Sequence, residues 1–447
     1  MAASFGATSL GEVHHEGLDE ILHDLGNVYP VNTEHESQRL GVPVLDALLE
    51  VFMLRAIPTD PQHQQMRTPA QLSFLREQNR AYDEEMLFDE DELPVLPADQ
   101  PNAFFSDSAH RTKRPDPVVE ISSSVSAAGK SQLLYYLAAR AILPPKYGNV
   151  PLGGQHAAVV WIDTDDRFDA NRLRTISRGI IKQAGISFDL EVQDVDRGID
   201  DEEDLNAIVA SALKHVHVFR PQSSYSLLAT LSTLHTYLYD LSRHYSASRP
   251  LKMLAIDSAT AFFWQDRFRD EVSRTEEIGL SKADIDKGRE QKDSFYLSDL
   301  YTELVQELKQ LQGRFGCTVV FTTTVPGARQ STYTSGQSGP FGSYDRPNRP
   351  SLRPALPAPW GIFPVLRLIV HRDVVRPFPP TMSASEARND ASMRQEMVCK
   401  GKFSAWVNSW GREDWPRSVV DSIDALNSGS FAFYIRETGV EIPLFGR

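Results

Sequence analysis

Gly129-Lys130-Ser131 is where residue type and spacing in this chain could do chemistry. Val118-Val119-Glu120-Ile121 reads as a short buried strand, a turn of small residues follows, and Leu133, Leu134, Leu137, Ala138, Ala141 and Ile142 then recur at helical spacing. Strand, small-residue loop and helix in that order are the setting of a phosphate-binding loop. Small residues let consecutive backbone N–H groups wrap phosphates at a helix N-terminus, a lysine reaches the outer phosphates, and a hydroxyl holds Mg²⁺. On that reading Ser124, Val125, Ser126, Ala127, Ala128, Gly129, Lys130, Ser131 and Gln132 form the cradle for ATP, and Ser131 is a ligand of Mg²⁺. The first glycine of the usual pattern is replaced by Ser124. If the loop needs a left-handed residue there, Ser124 costs roughly 1 kcal/mol more than glycine. A polar turn ahead of an ordinary core helix is the plainer alternative.

Such a site needs a carboxylate at the end of a second buried strand, to complete the Mg²⁺ shell opposite the hydroxyl. Asp257, after the apolar run Leu251 to Ile256, has that position; a helix cap or turn residue is the competing role. Ala157-Ala-Val-Val-Trp-Ile162 is another apolar strand that runs into carboxylates, Asp163, Asp165 and Asp166.

The elements that must position these groups alternate from Pro117 onward, as in an α/β domain with a mainly parallel sheet flanked by helices. Helices are expected near 171–183, 226–241 and 297–315, and strands at His215–Phe219, Cys317–Thr323, Phe363–His371 and Ser430–Ile435, with Gly439–Ile442 as an edge strand. Pro326 to Trp360, rich in Gly, Ser, Pro and Arg, reads as a long mobile insertion, and Met382 to Arg394 as an exposed one. Residues 1–116 read as an N-terminal extension: helical spacing at Gly17–Leu25 and Val44–Leu54, then an acidic, partly disordered linker with the block Asp83–Glu92. Met86, Leu87 and Phe88 within that block are apolar anchors that also suit a partner-binding segment. Residues 117–447 are then the core.

A chain of 447 residues can bury a full core and keep such extensions. It has no run of about eighteen apolar residues and no signal-peptide pattern, so a soluble intracellular protein without membrane contact is expected. Its two cysteines, Cys317 and Cys399, make neither a disulfide framework nor a zinc site. The net charge of −14 opposes generic attraction to nucleic acid, so any such contact requires a local basic patch.

Three stretches together resemble the RecA-type recombinase paralogues of eukaryotic homologous recombination: Ile121 to Pro144, Trp161 to Leu173 and Ala255 to Arg267. The resemblance rests on Leu133-Leu-Tyr-Tyr-Leu137, on Ile162-Asp-Thr-Asp with Phe168-Asp169 and Arg172-Leu173, and on Asp257-Ser with Ala261-Phe-Phe-Trp264 and Asp266-Arg267. It covers most of Pro117 to Ile442 and leaves out the acidic linker and the 326–360 insertion. It implies a RecA-like P-loop fold, ATP with Mg²⁺, other recombinase paralogues as partners, single-stranded or branched DNA, and the nucleus.

The resemblance also makes Asp165 the candidate water-activating carboxylate, where the family carries glutamate. One methylene less displaces that base by about 1 Å, worth on the order of a hundredfold in rate. The polar sensor position reads Thr323-Thr324 where active recombinases carry Asn-Gln. With Ser124, these departures point to ATP binding with weak or absent hydrolysis. An active P-loop ATPase or kinase and a nucleotide-free scaffold are the rivals. In the family the loops after Asp257 and Thr324 face DNA. The second carries Arg329, Arg346, Arg349 and Arg353 among Tyr333, Phe341 and Tyr344, a set suited to single-strand contact and base stacking, or simply an insertion kept soluble by arginine.

Overall fold

A computed structural model describes residues 39–54, 117–191, 202–281, 288, 295–325, 350–373, 382–399, 401–412 and 415–443. By contacts the chain divides into Met1–Val51 with Asp116–Arg447, and Phe52–Pro115. Only the last three residues of one helix represent the latter among the described residues. Gly17–Leu25, the acidic block and most of the Arg-rich insertion lie outside them.

Among the described residues, nine strands form one sheet in the order β11-β10-β9-β8-β1-β7-β6-β4-β5. Its parallel part comprises β1 (Val118–Ser123), β4 (Ala158–Asp163), β5 (Val216–Phe219), β6 (Leu251–Asp257), β7 (Thr318–Thr324) and β8 (Leu366–Arg372). These strands are near-continuous apolar runs because helices cover both faces. Beyond β8 the sheet turns antiparallel through β9 (Lys402–Val407), β10 (Ser430–Arg436) and β11 (Gly439–Glu441). A small hairpin, β2 (Lys146–Tyr147) with β3 (Val150–Pro151), stands apart.

The helices in chain order are α1 (Pro43–Leu54), α2 (Lys130–Ile142), α3 (Ala170–Glu191), α4 (Glu202–Leu213), α5 (Ser224–Tyr239), α6 (Phe263–Glu276), α7 (Leu297–Phe315), α8 (Ala384–Cys399) and α9 (Arg417–Ala425). Alternate strand residues point to opposite faces. Val118, Val160, Ile162, Leu254, Ile256, Val319 and Phe321 pack with Leu227 and Leu231 of α5 and with Leu300, Leu304 and Leu308 of α7. On the other face Trp161 stacks on Tyr135 of α2, ring centroids 4.7 Å apart. The apolar spacing of α7 places Leu297, Leu300, Tyr301, Leu304, Val305, Leu308 and Leu311 on one buried side, and Gly316 at φ +63° ends the helix in a conformation other residues enter at a cost. No described helix is long and apolar enough to cross a membrane.

Helices α4, α6 and α9 were not anticipated, and three further segments differ from the sequence expectation. The exposed insertion at 382–394 is a helix whose entry is a capping box: Ser383 N–H donates to Glu386 Oε2 at 2.9 Å, and Glu386 N–H donates to Ser383 Oγ at 3.3 Å. A polar, solvated helix leaves no apolar period to read. Strand β9 was not anticipated. The end of the 326–360 stretch is pinned to it: Leu352 N–H donates to Asn408 Oδ1 at 3.1 Å, Asn408 Nδ2 donates to Leu352 O at 2.6 Å, and Trp406 Nε1 donates to Pro350 O at 3.2 Å. Near the N-terminus, Arg140 of α2 forks onto Gly41 O at 3.0 and 2.9 Å, which ties the residues before α1 to the core.

Candidate nucleotide site

The loop between β1 and α2 is shaped from within by Ser123, a residue the motif does not name. Its Oγ donates to Val125 O at 2.7 Å and accepts from Lys130 Nζ at 2.6 Å. The left-handed residues are Ala127 at φ +58° and Gly129 at φ +96°. Ser124 is not one of them, so the missing first glycine carries no left-handed cost there, and that concern moves to Ala127. Ser126 and Ala127 are exposed, Val125 is 40% exposed, and Ala128 is buried. A Cβ on Gly129 would lie 2.9 Å from Phe403 and 3.1 Å from Ile435, so both the backbone angle and the space require glycine.

Helix α2 starts at Lys130 with no side-chain cap. The amides of its first turn are therefore left to solvent or an anion. Ser131 is half-buried in that turn, and Gln132 accepts from Arg172 Nε at 2.7 Å. Burial pulls the Lys130 amine below its ordinary range, while the charges of Asp257 and then Asp165 pull it back. Both carboxylates thus act on the lysine.

Asp257 ends β6 next to Thr322 of β7, whose Oγ1 donates to Asp257 Oδ1 at 2.5 Å. The ends of β4 and β6 are tied by Thr164: its N–H donates to Asp257 O at 3.0 Å, its Oγ1 donates to Ser258 O at 2.7 Å, and it accepts from Ser258 N–H at 2.6 Å. The following turn wraps buried Asp163, which accepts the N–H groups of Arg167 and Phe168, both at 2.9 Å, and pairs with Arg220 at 3.3 Å. Tyr135 supports the same turn by accepting Asp169 N–H at 2.6 Å and packing on Trp161 and Phe168. Asp165 is exposed on this frame. Partial desolvation raises its pKa against Arg167, and the nearby Asp257 and Asp163 raise it further.

Alternation separates the two sensor-position threonines. Thr322 and Thr324 share the α2 face, whereas Thr323 faces α5 and α7 and donates to Glu120 Oε1 at 2.7 Å. Thr323 therefore does not address the site. Ser123, Thr322, Thr164, Asp163 and Tyr135 are the positioning residues that sequence reasoning passed over; the hydroxyl-rich ends of β1 and β7, Ser122-Ser-Ser and Thr322-Thr-Thr, were the available signal. Of the four arginines assigned to DNA, Arg329, Arg346 and Arg349 lie outside the described residues, and Arg353 stacks over Trp410 at 5.3 Å.

An uncapped helix N-terminus with a lysine, a hydroxyl and two carboxylates offers donors for phosphate and hard oxygen ligands for a divalent cation, so the residues present fit ATP with Mg²⁺. No family model matches the chain. Curated relatives do. The chain is 25% identical to the DNA repair protein XRCC2 homolog of Arabidopsis thaliana over 57% of its own length and 68% of that protein. It is 32% identical to mouse DNA repair protein XRCC2 over 36% of its length and 44% of that protein. It is 31% identical to the DNA repair and recombination protein RadA of Halobacterium salinarum over 30% of its length and 37% of that protein. The matches to the mouse protein and RadA thus span less than half of those proteins. A mainly parallel sheet and these similarities together make the chain a homologue of the XRCC2 repair proteins and the RadA recombinases.

Proposed function

We propose that this chain acts in DNA repair by homologous recombination, as a nuclear subunit of a complex with other recombinase paralogues on single-stranded or branched DNA. In this reading it binds ATP with Mg²⁺ through residues 124–132 and Asp257, and hydrolyses it weakly or not at all. The core is 117–447 and the first 116 residues are an extension. The relatives named for DNA repair and recombination support the role. The observation that carries the site is Lys130 at an uncapped helix N-terminus within the field of Asp257 and Asp165.

Bound ATP would bring the phosphates and, with Mg²⁺, the charge that these groups answer. Lys130, now bonded to Ser123, would reach a phosphate oxygen, and the first-turn amides of α2 would donate to the anion. Ser131 and Asp257 would supply oxygens to Mg²⁺, and Thr322 holds the aspartate in place. Asp165 is the residue assigned to take a proton from water. Its short side chain on an exposed turn is a poor base position, and Thr323 is turned away, so slow turnover is expected. Arg329, Arg346, Arg349 and Arg353 remain the proposed contacts to DNA.

The test is equilibrium binding of a fluorescent ATP analogue with Mg²⁺ to the full chain. Lys130→Ala removes a charge-assisted phosphate contact and lowers affinity by about 1.5 to 3 kcal/mol. Equal affinity of variant and wild type would remove this loop as the site.

A further inference from the structure

The last strands of the sheet touch the phosphate loop at two points. Strand β9 brings Phe403 and β10 brings Ile435 against the Cα of Gly129, with no room for a Cβ. From the other side, Arg172 at the start of α3 commits its whole guanidinium to one junction. Its Nε donates to Gln132 Oε1 at 2.7 Å, its Nη1 to Glu437 O at 3.1 Å and its Nη2 to Arg436 O at 3.0 Å. Gln132 adjoins Ser131 in the first turn of α2, Arg436 is the last residue of β10, and Glu437 opens the turn to β11.

That turn is itself fixed to α3. A Cβ on Gly179 would lie 2.5 Å from Thr438 O, and Gly179 and Gly439 pack backbone to backbone. The turn therefore cannot shift along α3 without breaking close packing, and its carbonyls give Arg172 a rigid base. A guanidinium spreads three donors in one plane, which an ammonium cannot reproduce. The loop has two left-handed residues, Ala127 and Gly129, and its polar contacts from within run through Ser123 and Lys130. Its conformation depends on support from outside.

We propose that the hairpin Ser430–Glu441 is a positioning element of the phosphate loop, with Arg172 the residue that transmits its place to the first turn of α2. Arg172 is here a positioning residue, acting through Gln132. The claim rests on the nucleotide reading for its ligand arm alone, because the loop's order can be measured without ligand.

The experiment uses the full chain as wild type, Arg172→Gln, Arg172→Lys, Gln132→Met and the double variant Arg172→Gln/Gln132→Met. Affinity for MgADP and for a fluorescent ATP analogue is read alongside amide hydrogen exchange over residues 124–132 in nucleotide-free protein. Arg172→Gln is expected to weaken nucleotide binding roughly tenfold, Arg172→Lys to restore little, and Gln132→Met to lie close to Arg172→Gln. The double variant is expected to be no worse than either single one, since both break one junction. Exchange at 127–132 rises in each variant while the global unfolding midpoint accounts for little of the rise. Unchanged exchange at 127–132, or a loss that follows the unfolding midpoint alone, would overturn the positioning role. Wild type that binds no nucleotide would overturn the nucleotide reading, and the exchange arm then decides the hairpin's role by itself.

Discussion

Two threonine–carboxylate pairs sit side by side at the C-terminal end of this sheet, and they do different work. On the α2 face Thr322 donates to Asp257 at 2.5 Å; on the opposite face Thr323 donates to Glu120 at 2.7 Å. Glu120 is 4% exposed and faces Arg367 at 3.7 Å. Burial raises its pKa, and Arg367 and then Thr323 offset that in part. Asp257 is half-buried at the mouth of the site, beside Lys130. The same hydrogen bond is a strut where water is excluded and, on the proposed nucleotide reading, holds a ligand where it is not. Solvent access, set by which face a strand residue takes, makes the difference.

The largest expected effect breaks the strut. Glu120→Ala leaves Arg367 and Thr323 facing an empty buried site and should destabilise the fold by about 3 to 5 kcal/mol. Glu120→Gln, which keeps the shape and an acceptor for Thr323, should cost about 1 kcal/mol or less. Asp257→Asn should move stability by under about 1 kcal/mol while lowering Mg²⁺-dependent nucleotide affinity at least tenfold. Urea unfolding and nucleotide titration of the three variants check this, and a stable Glu120→Ala protein would erase the contrast.

Acid probes a third polar cluster at the β5 edge, and the sign is opposite to that of the raised carboxylates. His215 Nδ1 and His217 Nε2 share Ser246 Oγ at 3.0 and 2.9 Å, and His217 Nδ1 meets Tyr237 Oη at 3.0 Å. Burial first, then cationic neighbours, push both rings down to about 4; these are Arg249 for His215 and His244 for both. A pKa lowered on folding means stability that is present above the ordinary 6.5 and lost as pH falls toward 4. The full loss is about 3 kcal/mol per ring, less where the two share one partner. Buried Asp46, raised to about 6, runs the other way and favours the fold on acidification. The histidine part is therefore read as the difference in urea stability between wild type and His215→Gln/His217→Gln at pH 7, 5 and 4. A difference that does not change with pH would show that these rings take up protons equally in the folded and unfolded states, with no shift on folding.

The smallest expected effect separates the two loop positions. Ala127→Gly should stabilise by about 0.5 kcal/mol, because relief of the left-handed angle exceeds the added freedom of the unfolded chain. Ser124→Gly should destabilise by a similar amount, since nothing left-handed is relieved there. Thermal unfolding of the two variants resolves the sign.

Much of this protein was legible in its residues alone. Continuous apolar runs announced β1, β4, β6 and β7, since strands covered on both faces need nothing else. The spacing of Leu297 to Phe315 matched the bounds of α7. Gly129-Lys130-Ser131, Asp165 and Asp257 were placed at strand ends by local sequence, and the structure brings them to one end of the sheet. What tertiary structure decided lies between elements distant in the chain. Strand β9, Lys402–Val407, and helix α8, Ala384–Cys399, carry little periodicity, and the strand's pairing comes from β8 and β10. The left-handed angle fell on Ala127 and not on Ser124, because the backbone path is set by Ser123, Lys130 and the packing of Phe403 and Ile435 on Gly129. Arg172 meets Gln132 forty residues away and Glu437 two hundred and sixty-five residues away. Local propensity carries no information about such pairs; close packing and the directions of hydrogen-bond donors select them only once the sheet has formed.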